Sequence, residues 1–217
     1  MNLCSNSFAD GLEIPAEFAL GVIAPKTHMA FSGNRNPHLA WDEVPPGTKS
    51  FALIVHDKDV PSQAEDVNKE DRDVPADLPR IDFFHWTLID IPAAMREIAA
   101  GSHSNGVTPR GKPGPQVSAD SSGMMRHGIN DYTGYFADDP EMSGTYYGYD
   151  GPCPPWNDSL VHHYFFTLYA LDVARLDVKA ELTGTNLREA IQGRILAQAQ
   201  IMGTYSLNPD RVEPPRS

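Results

Sequence analysis

The sequence predicts a mainly β protein, built from antiparallel or mixed sheets, with one amphipathic helix near its C-terminal end. Three stretches have strand patterns, at residues 51–57, 83–91 and 161–172, and one stretch has a helix pattern, at residues 187–202. The connections between the strand patterns are long and irregular. Such connections favour antiparallel or mixed sheets over repeated βαβ units, in which a helix follows each strand.

The three strand patterns predict which side chains share a face. A period of two places Asp57 on the same face as the large apolar residues at the odd positions of the first strand. In the second strand, a regular alternation places His85 and Trp86 on opposite faces. The third strand is β-branched, aromatic or aliphatic at nearly every position, which is typical of a strand buried on both faces.

The helix is predicted over residues 187–202 because apolar residues recur there at helical spacing. Asn186 and Glu189 resemble a capping box at its start, and Gly203 supplies a stop at its end. The apolar positions that carry the pattern are Leu187, Ile191, Ile195, Ala199 and Met202.

Two long connections separate the strands. Residues 61–80 carry mixed charge and three prolines, which predicts an exposed excursion. Ten of the seventeen glycines lie between Gly101 and Gly151, a density that argues against a core element there. Because a structureless loop of this length is uncommon in a compact domain, it is expected to cover a site or to carry short strands.

The composition excludes several classes of function. The chain has 217 residues, 41% of them hydrophobic, which fits one domain over residues 1–217. A net charge of −12 argues against binding to duplex nucleic acid or to anionic membranes. The sequence has only two cysteines, no signal-peptide pattern and no apolar run long enough to span a bilayer. These features predict a cytoplasmic protein that is not integral to a membrane.

Polar side chains on the three predicted strands are candidates for one binding pocket. They are the carboxylates Asp57 and Asp59 after the first strand, His85 in the second, and His162 with Tyr164 on one face of the third. A nearby carboxylate favours a protonated histidine and fixes its ring. Protonated histidines and a tyrosine hydroxyl are donors, so together they could bind a phosphate or carboxylate.

Each of these residues also has a structural interpretation, since a single histidine on a strand is more often a satisfied core residue than a ligand. The same residues leave open a hydrolase or lyase that acts on a small ester or phosphoester with a histidine as general base. The sequence has no H-E-x-x-H pair for zinc and no G-x-S-x-G elbow for a serine hydrolase. No cofactor is therefore expected, and a binding protein is the favoured hypothesis.

Several motifs, taken in order, resemble the phosphatidylethanolamine-binding protein family, and most closely its bacterial Raf kinase inhibitor-like branch. The similarity covers most of the chain. The motifs are Trp41, VPPGT at 44–48, FALIVHDKDVP at 51–61, FFHWTLIDIP at 83–92 and GPCPPWNDSLVHHYFFTLYALD at 151–172. The resemblance implies a β-sandwich with a small anion pocket.

The resemblance also implies which residues form that pocket and what they bind. The expected ligands are small anions such as phosphate, phosphoethanolamine or acetate, and a protein partner with a phosphorylated or acidic segment is a further hypothesis. A homodimer is expected from the bacterial relatives. The implied binding residues are Asp57, Asp59, His85, Gly151, Pro152, His162 and Tyr164, with Trp41, Tyr149 and Pro154 at the rim.

Overall fold

The structure is a computed structural model that describes residues 1–118 and 123–211. Strands account for most of its regular structure. They are β1 (Asn2–Cys4), β2 (Gly21–Ala24), β3 (His28–Phe31), β4 (Leu39–Asp42), β5 (Ser50–Pro61), β6 (Arg80–Pro92), β7 (Glu97–Ile98), β8 (Gln116–Ser118), β9 (Met124–His127), β10 (His162–Leu171) and β11 (Ile195–Tyr205). The helices are α1 (Tyr132–Tyr135), α2 (Gly184–Ala190) and a 3₁₀ turn at Ala16–Phe18.

The main sheet has six strands in the order β11-β10-β5-β6-β9-β8, and every neighbouring pair is antiparallel. A second sheet has the order β1-β4-β7, and β2 pairs with β3 in a separate hairpin. The predicted mainly β, antiparallel architecture is confirmed. The three predicted strands are the long strands β5, β6 and β10, which are neighbours at the centre of the main sheet.

The two larger sheets share one hydrophobic core. Trp41 of β4 packs against Phe51 of β5, with ring centroids 5.4 Å apart. A smaller core lies on the other face of the main sheet, where Ala52 and Ile54 of β5 pack near Leu187 of α2. The central strands are therefore buried on both faces, as the near-continuous apolar pattern of β10 predicts.

A β-bulge changes the facing of side chains along β6. Val55 is paired with Trp86, whereas the next residue, His56, is paired with Phe84, so His85 is an extra residue in its strand. The predicted regular alternation is wrong here, because a bulge lets two successive side chains point to one side. His85 consequently lies beside Tyr164, and Trp86 is buried in the hydrophobic core that also contains Tyr164.

The predicted helix at 187–202 is wrong beyond residue 190. Helix α2 begins after Thr183, whose Oγ1 accepts a hydrogen bond from the Asn186 amide at 3.2 Å, and it ends at Ala190. Residues 195–205 form strand β11, which pairs with β10 along its whole length. Apolar residues in that stretch also recur at every second position, and pairing with a buried strand selects that period.

The glycine-rich stretch contributes to the core, contrary to expectation. It carries β8, β9 and α1, as the alternative of short strands predicts. Met125, Tyr132 and Tyr146 from this stretch are almost completely buried. Within the described part of the chain, no helix is long and apolar enough to cross a membrane.

Candidate ligand-binding site

A cavity of about 160 Å³ lies where β5, β6 and β10 run side by side. Asp57 is paired with Tyr164 on one side and with Phe83 on the other, which brings two of the predicted residues to one place. The cavity floor is formed by Asp57, His85 and Tyr164, and Pro154 forms part of its wall. These four side chains come from three separate segments of the sequence.

His162 lies behind the cavity floor and holds Asp57 in place. Its Nδ1 is 2.6 Å from Asp57 Oδ2, and its Nε2 is 3.0 Å from Asp158 Oδ2. Asp158 also accepts two hydrogen bonds from the Arg80 guanidinium, at 2.6 and 3.1 Å. Both histidine nitrogens therefore face carboxylates, which is the arrangement of a protonated ring.

The charges of this buried group balance. Burial by itself lowers the pKa of His162, but the carboxylates of Asp57 and Asp158 outweigh burial and raise the pKa to about 9. Desolvation raises the pKa of Asp158, yet hydrogen bonds from His162 and Arg80 outweigh it and leave that pKa lowered. At neutral pH two cations thus face two carboxylates, and the group as a whole is neutral.

His85 is neutral at pH 7 and presents one nitrogen to the cavity. Its Nδ1 is 2.8 Å from the carbonyl oxygen of Asp150, and a carbonyl only accepts, so Nδ1 carries the proton. Burial is the main cause that lowers the pKa of this imidazole, and the nearby Asp57 only partly offsets it. The remaining nitrogen, Nε2, is therefore unprotonated and free to take up a proton when an anion binds.

Tyr164 is the least satisfied polar group of the floor. The residue is 1% exposed, and its hydroxyl meets no described group at full hydrogen-bond geometry, although it lies close to the Asp57 side chain. Burial raises its pKa well above the usual value, so the hydroxyl is a neutral donor. Leaving a buried hydroxyl without a full hydrogen bond costs about 1–3 kcal/mol.

Gly151 and Pro152, which the resemblance implies as binding residues, use their backbone groups in hydrogen bonds within the protein. The Gly151 amide donates to Asn34 Oδ1 at 2.8 Å, and its carbonyl accepts from the Tyr132 hydroxyl at 2.9 Å. The Pro152 carbonyl accepts from two backbone amides at 2.9 and 3.1 Å. A side chain on Gly151 would place Cβ 2.1 Å from the Phe18 carbonyl oxygen, so glycine is required for this close approach.

Three other predicted residues do not line the cavity. Asp59 accepts from the backbone amide and the Nδ1 atom of His163, at 2.8 and 2.7 Å, on the opposite side of β10. Tyr149 is fully buried, and its hydroxyl donates to the Phe18 carbonyl at 2.6 Å. Trp41 is part of the core between the two sheets.

Sequence reasoning missed several residues of this region. Asp158 lies four residues before His162 within the quoted GPCPPWNDSLVHHY stretch, so its charge was a signal that could have been used. Tyr135 and Val67 line the cavity from the glycine-rich stretch and from the 61–80 connection, where no periodic pattern marks them. Cys153 also lines it, and burial raises the pKa of its thiol to about 12.

The described residues contain no group of three or more His, Cys, Asp or Glu side chains arranged to hold a metal ion.

Comparison with known proteins identifies the family. The family model described as phosphatidylethanolamine-binding protein matches residues 4–206. The chain belongs to this family. It is 31% identical to the UPF0098 protein of Aquifex aeolicus over 205 residues, which cover 94% of the chain and 88% of that protein. It is 28% identical to the UPF0098 protein YbhB of Escherichia coli over 207 residues, covering 95% of the chain and all of that protein.

Solved structures of the phosphatidylethanolamine-binding protein (PEBP) family support the fold. The crystal structure of E. coli YbcL, reported as a new member of the mammalian PEBP family, has a TM-score of 0.65 and 24% sequence identity, and the match covers 94% of this chain and 97% of YbcL. A putative PEBP homologue from Chlamydia trachomatis has a TM-score of 0.60 and 27% identity, with 94% and 96% coverage.

The name of one relative concerns its location in the cell. The putative lipoprotein LppC of Mycobacterium tuberculosis is 28% identical over 205 residues, which cover 94% of this chain and 72% of LppC. The cytoplasmic location of the present chain remains a prediction.

Proposed function

We propose that this PEBP-family protein binds small acidic ligands in the cavity and does not transform them. The phosphate or carboxylate end of the ligand lies on the floor formed by Asp57, His85 and Tyr164. The observation that carries the proposal is the buried Tyr164 hydroxyl, which meets no described group at full hydrogen-bond geometry, lies close to Asp57 and can donate to a ligand oxygen.

The charge of the floor suits an anion only when a proton accompanies it. Asp57 is already paired with His162, so its charge is compensated from behind. His85 is neutral and has Nε2 unprotonated, because Nδ1 donates to the Asp150 carbonyl. An incoming anion favours the protonated form of His85, whose Nε2–H then donates to it alongside the Tyr164 hydroxyl. Ligand binding is therefore coupled to the uptake of one proton.

The chemistry of the lining favours binding over catalysis. Cys153 is a nucleophile-type side chain in the cavity wall, and with a pKa raised to about 12 by burial it is a neutral thiol at pH 7. Because the thiolate is the reactive form, Cys153 is a poor nucleophile. Esterase or phosphatase turnover by the wild-type protein that disappears in His85→Asn would contradict a binding-only role.

The test is titration of the protein with phosphate and with acetate, followed by calorimetry and by NMR shifts of the cavity residues. Tyr164→Phe removes one donor and is expected to weaken binding about tenfold, the value of one hydrogen bond to a charged group. Tyr169→Phe is the matched control, because Tyr169 lies on the same strand and packs against the smaller core. Equal affinities of wild type and Tyr164→Phe would refute the proposed floor.

The proton coupling is tested with sulfate, whose charge is constant near neutral pH. Its affinity is expected to rise as the pH falls from about 7.5 to about 5.5, by up to about tenfold per pH unit. Affinity that is independent of pH would contradict a role for His85.

A further inference from the structure

The connection between β5 and β6 forms one wall of the cavity. We call residues 62–79 the excursion. Its two ends meet, since the Ser62 amide donates to the Pro79 carbonyl at 3.0 Å. Ala64 and Val67 of the excursion line the cavity, next to Val60 and Pro61 at the end of β5. The excursion is therefore more than an exposed loop, because its inner side is an apolar surface beside the candidate binding floor.

A single buried side chain, Asn157, organises this surface. The two N–H groups of its Nδ2 are shared among the carbonyl oxygens of Asp66, Lys69 and Arg72, at N···O distances of 2.9, 3.2 and 2.7 Å. Its Oδ1 accepts from the Asn68 amide at 2.9 Å. Asn157 is 3% exposed, so these bonds form out of contact with bulk water. A buried amide that satisfies four backbone groups fixes the path of the chain on both sides of Val67.

Further contacts fix the second half of the excursion to the same segment. The Val74 amide donates to the Asn157 carbonyl at 3.0 Å, and the Ser159 hydroxyl donates to the Val74 carbonyl at 2.6 Å. The neighbouring Asp158 holds His162 and Arg80. One short segment, residues 157–159, thus connects the apolar wall to the charged group that supports the cavity floor.

Much of the remaining lining is also apolar or aromatic. It includes Phe83, Tyr135, Pro154 and Pro155. Tyr135 is 59% exposed, so its ring borders the opening of the cavity. The volume of about 160 Å³ corresponds to a few water molecules, at about 30 Å³ for each. A phosphate group with a phenyl ring or a short alkyl group matches this combination of a polar floor and apolar walls.

We propose that the excursion, positioned by Asn157, makes the cavity selective for acidic ligands that carry a compact apolar or aromatic body. This inference rests on the proposed function, because it assigns the part of the ligand that lies beyond the anionic end. Val67 contacts that body, and Asn157 acts through the excursion as a positioning residue.

The test compares inorganic phosphate with phenyl phosphate by calorimetry. Wild type is expected to bind phenyl phosphate about tenfold more tightly than phosphate, because part of the ring is buried against apolar side chains. Asn157→Ala is expected to keep its phosphate affinity within about twofold and to lose most of the phenyl preference. Asn105→Ala, at an exposed asparagine outside the excursion, is the matched control.

A second variant serves in case Asn157→Ala does not fold. Val67→Ser removes apolar surface from the wall and is expected to reduce the phenyl preference at least about threefold, with phosphate affinity unchanged. Val178→Ser is its control, since Val178 packs against the smaller core.

The possible outcomes separate this inference from the proposed function. If wild type binds neither compound, the proposed function fails. If wild type binds both compounds equally, the function stands and the selectivity is refuted. A phenyl preference that Val67→Ser retains in full would also refute the assigned wall.

Discussion

Replacing Asp158 by asparagine tests the charged group that supports the cavity floor. The substitution keeps the size of the side chain and an oxygen that can accept from His162 Nε2. It removes the carboxylate that faces both His162 and Arg80. The buried group then contains two cations and one carboxylate at neutral pH. We expect the pKa of His162 to fall and the folded state to lose stability.

The expected loss of unfolding free energy follows from the size and direction of the pKa shift of His162. The pKa is raised from 6.5 to about 9 in the folded state, so the stabilisation is present in full below pH 6.5 and is lost as the pH rises through about 9. The gap between these values corresponds to about 3 kcal/mol, at 1.36 kcal/mol per pH unit, and Asp57 and Asp158 share it, with Asp57 as the larger contributor. Asp158→Asn also takes a carboxylate away from Arg80. Removing one partner of a buried ion pair costs about 3–5 kcal/mol. We therefore expect Asp158→Asn to lose about 3 kcal/mol at pH 7.

The assay is urea unfolding followed by circular dichroism between about pH 6 and about pH 10. The difference in unfolding free energy between wild type and variant is expected to become smaller as the pH rises, because His162 then loses its proton in the wild type. An NMR titration of the His162 ring gives its pKa directly. Asp77→Asn, at an exposed carboxylate, is the control. Equal unfolding free energies at pH 7, or a His162 pKa unchanged by the substitution, would refute the reasoning.

Three further predictions concern stability. Thr183→Ala removes the cap of α2 and is expected to cost about 1 kcal/mol in urea unfolding, and no loss would show that the cap is dispensable. Gly151→Ala brings a Cβ to 2.1 Å from the Phe18 carbonyl oxygen, so we expect a loss of about 2 kcal/mol, and a normal melting temperature would contradict this contact. Burial lowers the pKa of His103 to about 4, and that of His127 to about 3. The contribution of these neutral rings to the stability of the folded state is therefore complete above pH 6.5 and declines below it. Calorimetry should show the melting temperature falling between about pH 7 and about pH 5, whereas a flat profile would contradict buried neutral rings.

The long strands were predictable because their physical signal is local. Near-continuous burial of β10 requires apolar residues at almost every position, and the sequence shows them. The same pattern placed His162 and Tyr164 on one face, and the structure has both buried beside Asp57. Local periodicity is therefore enough to predict the central strands of the main sheet and the face on which the cavity floor lies.

The errors arose where long-range pairing decided the structure. The apolar residues of 187–202 fit a helix nearly as well as a strand, and only the exposed edge of β10 decides in favour of β11. The bulge at His85 inserts one residue into an otherwise regular pattern, and the neighbouring strand determines its position. A single sequence contains no local signal that decides between the two periods or that locates the bulge.

The apolar wall was unpredictable for a related reason. Residues 61–80 look like a solvated loop because most of their charges are exposed, yet Val67 lines the cavity. The bonds from Asn157 that fix this wall span about ninety residues of sequence. An asparagine between a tryptophan and an aspartate shows nothing of this role by itself.

The position of β10 between β5 and β11 has a consequence for synthesis on the ribosome. Strand β5 is complete at Pro61, but its partner begins only at His162. At ordinary translation rates the intervening residues take on the order of 5–20 s to appear. During that time one edge of β5 lacks its final neighbour and is open to pairing with other nascent chains. A chain arrested before His162 should therefore aggregate more readily than one arrested after Leu171.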